Sequence, residues 1–193
     1  LGFPSFKSLT DIPDEVDFVI ISVPATIVPR LLRDCVTKGV AGVHLYTAGF
    51  SETGTEEGAK LEEEVITIAR EGGLNVIGPN CMGIYYPEGG LAFKGSMPRE
   101  PGSGGVLSQS GGNALELVME ASVRGVRFSK VVSYGNALDL NEADLIEYLA
   151  DDPETEVIGG YIEGVRDGPR LVRALRYASQ RKPVVLLKGG RTQ

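Results

Sequence analysis

The chain has 193 residues, of which 42% are hydrophobic and 23% are charged, a composition typical of a globular protein with a substantial core. Its formal net charge of −7, with no basic stripe, argues against nucleic acid as the main partner. No apolar run approaches the roughly 18 to 20 residues of a membrane span and no signal peptide opens the chain, so we expect no membrane partner. The only two cysteines form no redox or metal spacing, which favours a reduced, cytoplasmic setting.

Apolar, β-rich runs alternate with amphipathic helical patterns in the first half of the chain. The runs predict strands, and the patterns predict helices. In order, the predicted elements are a strand at 16–23, a helix at 26–38, a strand at 42–47, a helix at 56–71 and a strand at 75–78. Pro24, Gly39 and Pro79 each follow one of these elements and end it.

The alternation resumes after a proline- and glycine-rich stretch at residues 87–105, which we interpret as a linker or a crossover. The later predicted elements are strands at 105–108, 128–133, 156–162 and 183–188, and helices at 112–124, 141–150 and 168–180. Strands that alternate with helices are typical of βαβ units with a mostly parallel sheet. The sequence therefore predicts two doubly wound α/β units that meet near residue 98, with ligands bound beyond the carboxyl ends of the strands.

A turn rich in serine and glycine follows the strand at 105–108. The first turn of a helix leaves backbone N–H groups without partners at the positive end of the helix dipole, and such a turn can receive an anion. Gly111 and Gly112 would let the anion approach the backbone, and the hydroxyls of Ser108 and Ser110 could add hydrogen bonds. The plainer alternative is a strand-to-helix turn in which Ser110 is only an N-cap.

Four segments of the chain carry a resemblance to a known family. They are GFSETG at 49–54, IGPNCMG at 77–83, SQSG at 108–111 and DDPETEVIGGYIEG at 151–164. In this order and spacing they resemble the α-subunit side of the NDP-forming acyl-CoA synthetases, the superfamily of succinyl-CoA synthetase, and are most similar to the ADP-forming acetyl-CoA synthetases. The resemblance covers essentially all of the chain. It implies an α/β fold, with a truncated Rossmann-like CoA-binding domain at 1–98 and a flavodoxin-like doubly wound parallel-sheet domain at 99–193.

The resemblance also implies an activity. In this family, an acyl-CoA and phosphate give an acyl phosphate and free coenzyme A, and the phosphoryl group passes to a histidine on a mobile loop and then to ADP. The ADP or ATP, with its Mg²⁺, is held by an ATP-grasp domain that is fused or belongs to a β-type subunit. We therefore expect an oligomeric ligase of which this fragment alone is inactive.

Two sets of site residues follow from the resemblance. One set would line the coenzyme A cleft and comprises Ser22, Val23, Pro24, Thr47, Gly49, Phe50, Asn80 and Cys81. The other would be catalytic and comprises Ser108, Ser110, Gly111 and Glu163. In the second set the turn would hold the phosphoryl group, and the carboxylate would accept the N–H of one imidazole nitrogen. The plainer readings are ordinary loops for the first set and a solvated or capping carboxylate for Glu163.

The chain has one histidine, His44, and two cysteines, Cys35 and Cys81, and their spacing forms no metal or redox motif. His44 lies in the middle of a predicted strand, so we expect a structural role for it. The resemblance places the phosphorylated histidine beyond Gln193, and we expect the sequence to be the middle of a longer protein. No histidine or charged neighbour would lower the pKa of the Cys81 thiol, which we interpret as part of a wall.

Two further questions stay open at the level of sequence. Asn136 and Asp139 could position phosphate or the histidine loop, or they could cap the helix at 141. The alternative to a ligase is an acyl-CoA-sensing regulatory module of a protein lysine acetyltransferase. An NAD-dependent dehydrogenase is not supported, because the chain lacks a GxGxxG turn followed by an acidic residue.

Overall fold

We describe the protein from a computed structural model that covers residues 2–190; Leu1 and the predicted loop end at 191–193 lie outside the described residues. The strands are β1 (Phe18–Ile21), β2 (Gly42–Leu45), β3 (Asn75–Ile77), β4 (Gly83–Tyr85), β5 (Gly104–Ser108), β6 (Phe128–Ser133), β7 (Val157–Ile162) and β8 (Val184–Lys188). The helices are α1 (Val28–Lys38), α2 (Glu56–Gly72), α3 (Gly111–Val123), α4 (Glu142–Asp151) and α5 (Gly168–Ser179). Over the described part of the chain, no helix is both long and apolar enough to cross a membrane.

The strands form two sheets, and the predicted α/β fold with two units is confirmed. The first sheet is parallel in the order β1-β2-β3, and the second has the order β4-β6-β5-β7-β8. All pairs in the second sheet are parallel except β4 and β6, where Ile84 lies opposite Val132 in an antiparallel register. The sequence did not predict β4. This strand precedes residue 98 and yet belongs to the second sheet, while the domain boundary at residue 98 stays a prediction.

Helix caps fix where the helices of the second unit begin. The side chain of Ser110 accepts a hydrogen bond from Asn113 N at the start of α3, and Asn141 accepts one from Ala143 N in a capping box at the start of α4. Asn141 therefore caps α4, and the idea that Asn136 or Asp139 does so is wrong. Because α3 begins at Gly111, directly after the turn that follows β5, its unpaired N–H groups lie at the carboxyl edge of the sheet.

The segment at 134–140 joins the two units. Its backbone N–H groups at Asn136, Leu138 and Leu140 donate to carbonyls of residues 76–79, at 3.0, 2.9 and 3.2 Å. The Asp139 carboxylate accepts a hydrogen bond from Val76 N at 2.9 Å, and the Leu138 side chain is buried in the core of the first unit. Asp139 is thus a structural link between the units, and the carboxyl ends of both sheets meet at this junction.

Candidate functional site

A cavity of about 590 Å³ lies between the two units, at the carboxyl ends of the strands of the first sheet. Its walls are the loops that follow β1, β2 and β3 and the start of α3. The lining residues are Ser22, Val23, Pro24, Tyr46, Thr47, Ala48, Asn80, Cys81, Met82, Gly111 and Gly112. Its volume is within the range of small-molecule sites, roughly 300 to 1,000 Å³. Six of the eight residues predicted for the coenzyme A cleft therefore meet here, together with Gly111 from the catalytic set.

Thr47 ties two of these loops together. Its hydroxyl donates to the carbonyl oxygen of Val23 at 2.7 Å and accepts a hydrogen bond from Val23 N at 3.3 Å. The residue is buried, with 8% of its surface exposed. Its hydroxyl therefore positions the loop after β1 against the loop after β2, and this contact shapes the cavity wall.

Gly49 and Phe50 do not line the cavity. Phe50 is fully buried in the core of the first unit. Gly49 has a φ of 114°, a conformation that favours glycine, and its N–H donates to the Glu52 carboxylate at 2.7 Å. The structure thus gives both residues a place in the β2 loop, and their contact with coenzyme A stays a prediction.

The thiol of Cys81 is a poor candidate for a nucleophile. The residue is 5% exposed, and its Sγ lies 3.7 Å from the carbonyl oxygen of Leu45, to which it donates. Burial raises the pKa of the Cys81 thiol to about 12. The group therefore stays protonated at neutral pH, which agrees with the expected wall residue.

His44 is buried in β2 and does not line the cavity. Its Nε2 lies 3.1 Å from the carbonyl oxygen of Cys81, and because a carbonyl only accepts, Nε2 carries the proton. Burial lowers the pKa of His44, while the contact with the Cys81 carbonyl partly opposes that shift. These contacts agree with the structural role expected for this residue.

The hydroxyls of the serine turn are engaged with the turn itself. Ser108 is 1% exposed; its Oγ donates to Ser110 O at 2.7 Å and accepts from Ser110 N at 3.2 Å. Ser110 is the N-cap, as the plainer alternative predicted, and its Oγ accepts from Asn113 N at 3.3 Å. Within the described residues, the N–H groups of Gly111 and Gly112 have no hydrogen-bond partner. The backbone amides, rather than the Ser108 hydroxyl, are the free donors of this turn.

Glu163 lies at the end of β7, next to the serine turn, because β5 and β7 are neighbours in the sheet. Gln109 spans the two: its Oε1 accepts from Glu163 N at 2.7 Å and from Gly164 N at 2.9 Å. The Glu163 carboxylate beside Tyr161 raises the pKa of that phenol, and Asn113 in the first turn of α3 opposes the shift. Glu163 is exposed and does not line the cavity, so the site has two adjoining parts.

Several residues of the site were not predicted from the sequence. Tyr46 and Met82 line the cavity, and each is a direct neighbour of a residue that was predicted, which was the available signal. Tyr134 follows β6 and is fully buried, and its hydroxyl has no hydrogen-bond partner within the described residues. Burial raises the pKa of Tyr134, and the nearby charges of Glu142 and Glu163 add to the shift.

Between residues 2 and 190, no group of three or more His, Cys, Asp or Glu side chains could hold a metal ion.

Comparison with known protein families assigns both halves of the chain. The family described as "CoA binding domain" matches residues 1–87, and the family described as "Succinyl-CoA ligase like flavodoxin domain" matches residues 101–193. Acetate–CoA ligase (ADP-forming) I of Archaeoglobus fulgidus is 44% identical over 196 residues, which cover 100% of this chain and 28% of that protein. The α subunit of acetate–CoA ligase (ADP-forming) II of Pyrococcus furiosus is 42% identical over 192 residues, covering 100% of this chain and 42% of the relative.

Solved structures agree with these relatives. The dinucleotide-forming acetyl-coenzyme A synthetase 1 of Ca. Korarchaeum cryptofilum, in complex with phosphate and ADP, has a TM-score of 0.89 at 35% identity. The match covers 100% of this chain and 41% of that one. A crystal structure from Pyrococcus horikoshii has a TM-score of 0.91 at 41% identity and covers 98% of this chain and 43% of the other.

The fold and the two family matches define the class of this protein: it is an α/β protein that combines a CoA-binding domain with a succinyl-CoA-ligase-like flavodoxin domain. The chain belongs to the NDP-forming acyl-CoA synthetase superfamily, and along its whole length it is similar to ADP-forming acetate–CoA ligases. It spans less than half the length of these relatives.

Proposed function

We propose that the chain forms the CoA-binding and phosphoryl-relay part of an ADP-forming acid–CoA ligase. The observation that carries the proposal is the cavity between the units, because it combines three strand-end loops of the CoA-binding half with the free amides at the start of α3. The whole enzyme would interconvert acyl-CoA, ADP and phosphate with the acid, coenzyme A and ATP. The named relatives are ligases, which favours this function over the regulatory alternative.

Coenzyme A would lie against the first unit. The loops at 22–24 and 46–48 give the cavity a wall of backbone and small side chains, and Asn80 adds a polar side chain. Phosphate attacks the thioester carbonyl, the C–S bond breaks, and an acyl phosphate and the coenzyme A thiol result. The role of this unit is to hold the thioester next to α3 and to exclude water from the reacting carbonyl.

The second unit would relay the phosphoryl group. An imidazole nitrogen of a histidine outside residues 2–190 attacks the phosphorus of the acyl phosphate, and the carboxylate leaves. The N–H groups of Gly111 and Gly112 and the positive end of α3 stabilise the phosphoryl oxygens. Glu163 accepts the N–H of the other imidazole nitrogen, which fixes the tautomer and stabilises the positive ring.

The last transfer requires parts outside this chain. An ATP-grasp domain, fused or in a β-type subunit, would hold ADP or ATP with Mg²⁺ and accept the phosphoryl group. One named relative is itself an α subunit, which supports a partner of this kind. We infer an oligomeric enzyme on the same basis, and a cytoplasmic one from the cysteine usage of the sequence.

The proposal is tested with the full-length protein and its ATP-grasp part. Release of coenzyme A is followed over a panel of acetyl-, succinyl- and aryl-CoA thioesters, with and without phosphate and ADP. Labelled phosphate is then traced into an acid-labile, alkali-stable phosphohistidine. We expect release that depends on phosphate for at least one thioester, together with labelling of a histidine.

Glu163→Gln keeps the shape of the side chain and removes its charge. We expect a loss of phosphohistidine labelling with little change in coenzyme A binding, measured by calorimetry. Glu156→Gln is the matched control, because Glu156 is an exposed glutamate at the opposite end of β7. Normal labelling in Glu163→Gln, or no thioester that responds to phosphate, would contradict the proposed function.

A further inference from the structure

Gln109 joins the serine turn to the loop that carries Glu163. The side-chain Oε1 of Gln109 accepts from the backbone N–H groups of Glu163 and Gly164, at 2.7 and 2.9 Å. The backbone N–H of Gln109 donates to the carbonyl oxygen of Tyr161 at 2.9 Å. Two N–H donors can face only the oxygen of the side-chain amide, so its orientation is determined by chemistry. The side chain therefore acts as a fixed acceptor between two strand ends.

The Glu163 backbone is also held from the end of β8. Lys188 Nζ donates to the carbonyl oxygen of Glu163 at 2.7 Å. A Cβ at Gly190 would lie 2.6 Å from that oxygen, so the chain after β8 packs directly against it. The N–H and the C=O of Glu163 are thus both engaged, whereas its side chain is exposed to solvent.

We propose that Gln109 is a positioning residue that acts through Glu163, holding its backbone so that the carboxylate faces the start of α3; this rests on the proposed function. A glutamate side chain has three rotatable torsions, so a fixed backbone narrows the region that its carboxylate can reach. A hydrogen-bond acceptor for imidazole must stay within about 3 Å of the ring nitrogen. A misplacement of about 1 Å in such a group lowers turnover by as much as about 100-fold.

The first test is Gln109→Met in the full-length enzyme, which keeps the length of the side chain and removes the acceptor. We expect kcat to fall roughly 10- to 100-fold, while KM for the acyl-CoA changes less than about twofold. The two released N–H groups are exposed, so water replaces the lost contacts and the fold is retained. Gln180→Met is the matched control, since Gln180 is an exposed glutamine at the far end of α5.

The second test is Gln109→Glu, whose carboxylate can still accept both N–H groups. We expect this variant to recover most of the kcat that Gln109→Met loses, which a loss of bulk packing would not explain. A kcat as low as that of Gln109→Met, or a KM for the acyl-CoA that rises in step with the loss of kcat, would count against the inference.

A double-mutant cycle with Glu163→Gln separates this inference from the proposed function. If Gln109 acts through Glu163, Gln109→Met has no further effect on kcat in the Glu163→Gln background. Equal losses in both backgrounds, or no loss in either, overturn the role of Gln109 and leave the function standing. If Glu163→Gln alone leaves turnover and labelling unchanged, the proposed function itself fails.

Discussion

At the scale of single residues, burial separates the side chains that could react from those that only pack. Histidine and cysteine often carry nucleophilic chemistry, yet His44 and Cys81 are both buried. The His44 ring donates to the backbone carbonyl of Cys81, and the Cys81 thiol donates to the backbone carbonyl of Leu45. Burial lowers the pKa of His44 and raises the pKa of Cys81, so both side chains favour their neutral forms. Glu163 is exposed at a strand end, where its charge costs little and where the proposed function needs it to meet an imidazole ring.

The buried imidazole predicts a pH dependence of stability. The pKa of His44 is lowered in the folded protein, so the unfolded chain binds a proton that the folded chain does not. The contribution of neutral His44 to the free energy of unfolding is therefore fully present above the unfolded pKa of about 6.5. It falls as the pH drops from there toward the lowered pKa of the folded protein, by at most about 1.4 kcal/mol per pH unit.

Urea unfolding of the wild type and His44→Gln between pH 5 and pH 8 measures this contribution. Glutamine keeps a donor for the Cys81 carbonyl and does not titrate. We expect the free energy of unfolding of the wild type, relative to the variant, to be constant above pH 7 and to decline below pH 6.5. A difference that stays constant, or rises, toward low pH would show that His44 is not held neutral.

At the scale of elements, the site depends on helices that begin where strands end. Ser110 caps α3 with its hydroxyl, and the hydroxyl of Ser108 closes the turn by donating to Ser110 O. Together they hold the turn in a shape that leaves the N–H groups of residues 111 and 112 without a partner in the described part of the chain. The glycines differ in their surroundings. A Cβ at Gly111 would lie 2.4 Å from Met82 Cγ, whereas at Gly112 the nearest atom would be 3.9 Å away. Glycine at 111 therefore lets α3 pack closely against Met82, and glycine at 112 leaves open space in the cavity.

Gly112→Ala tests whether that space is used by an anion. Alanine adds a methyl group to the cavity lining without a clash, since the nearest atom to its Cβ would be Ser110 Oγ at 3.9 Å, and it is the better helix former. We expect stability to stay the same or to rise by up to about 1 kcal/mol, and phosphohistidine labelling of the full-length enzyme to slow roughly 10- to 100-fold.

The measurements are urea unfolding and the rate of labelling from phosphate and acyl-CoA. Val123→Ala serves as the control, because Val123 is 85% exposed at the far end of the same helix and its substitution leaves the cavity untouched. A normal labelling rate in Gly112→Ala would mean that the phosphoryl group does not approach this amide.

At the scale of the whole molecule, the alternation of elements was predictable because it is written in local periodicity. All of the predicted strands and helices occur, with ends that shift by at most two residues, and β4 is the strand that the sequence did not predict. β4 has three residues and pairs with β6 about 50 positions away, so no local pattern marks it. The convergence of the loops after β1, β2 and β3 followed from parallel pairing alone. The acceptor role of Gln109 did not, because the direction of a side chain is not encoded in spacing.

The junction of the two units has its own sequence requirement at Gly135. Its φ is 55°, and a Cβ there would lie 2.2 Å from Pro79 O and 2.6 Å from Asn80 O. Those carbonyls belong to the loop that walls the cavity. Glycine at this position lets the segment at 134–140 lie directly on the first unit, and a side chain would push the two sheets apart.

Gly135→Ala should therefore disturb stability and the site together. Gly125→Ala is the matched control, because Gly125 has a φ of 78° but a Cβ there would meet no atom within 4 Å. We expect the control to cost about 1 to 2 kcal/mol from backbone strain alone. Gly135→Ala should cost about 1 to 3 kcal/mol more from the clash, with a raised KM for acyl-CoA because the cavity wall moves. Urea unfolding and steady-state kinetics on the full-length enzyme measure both effects, and equal losses in the two variants would show that the junction does not depend on this close approach.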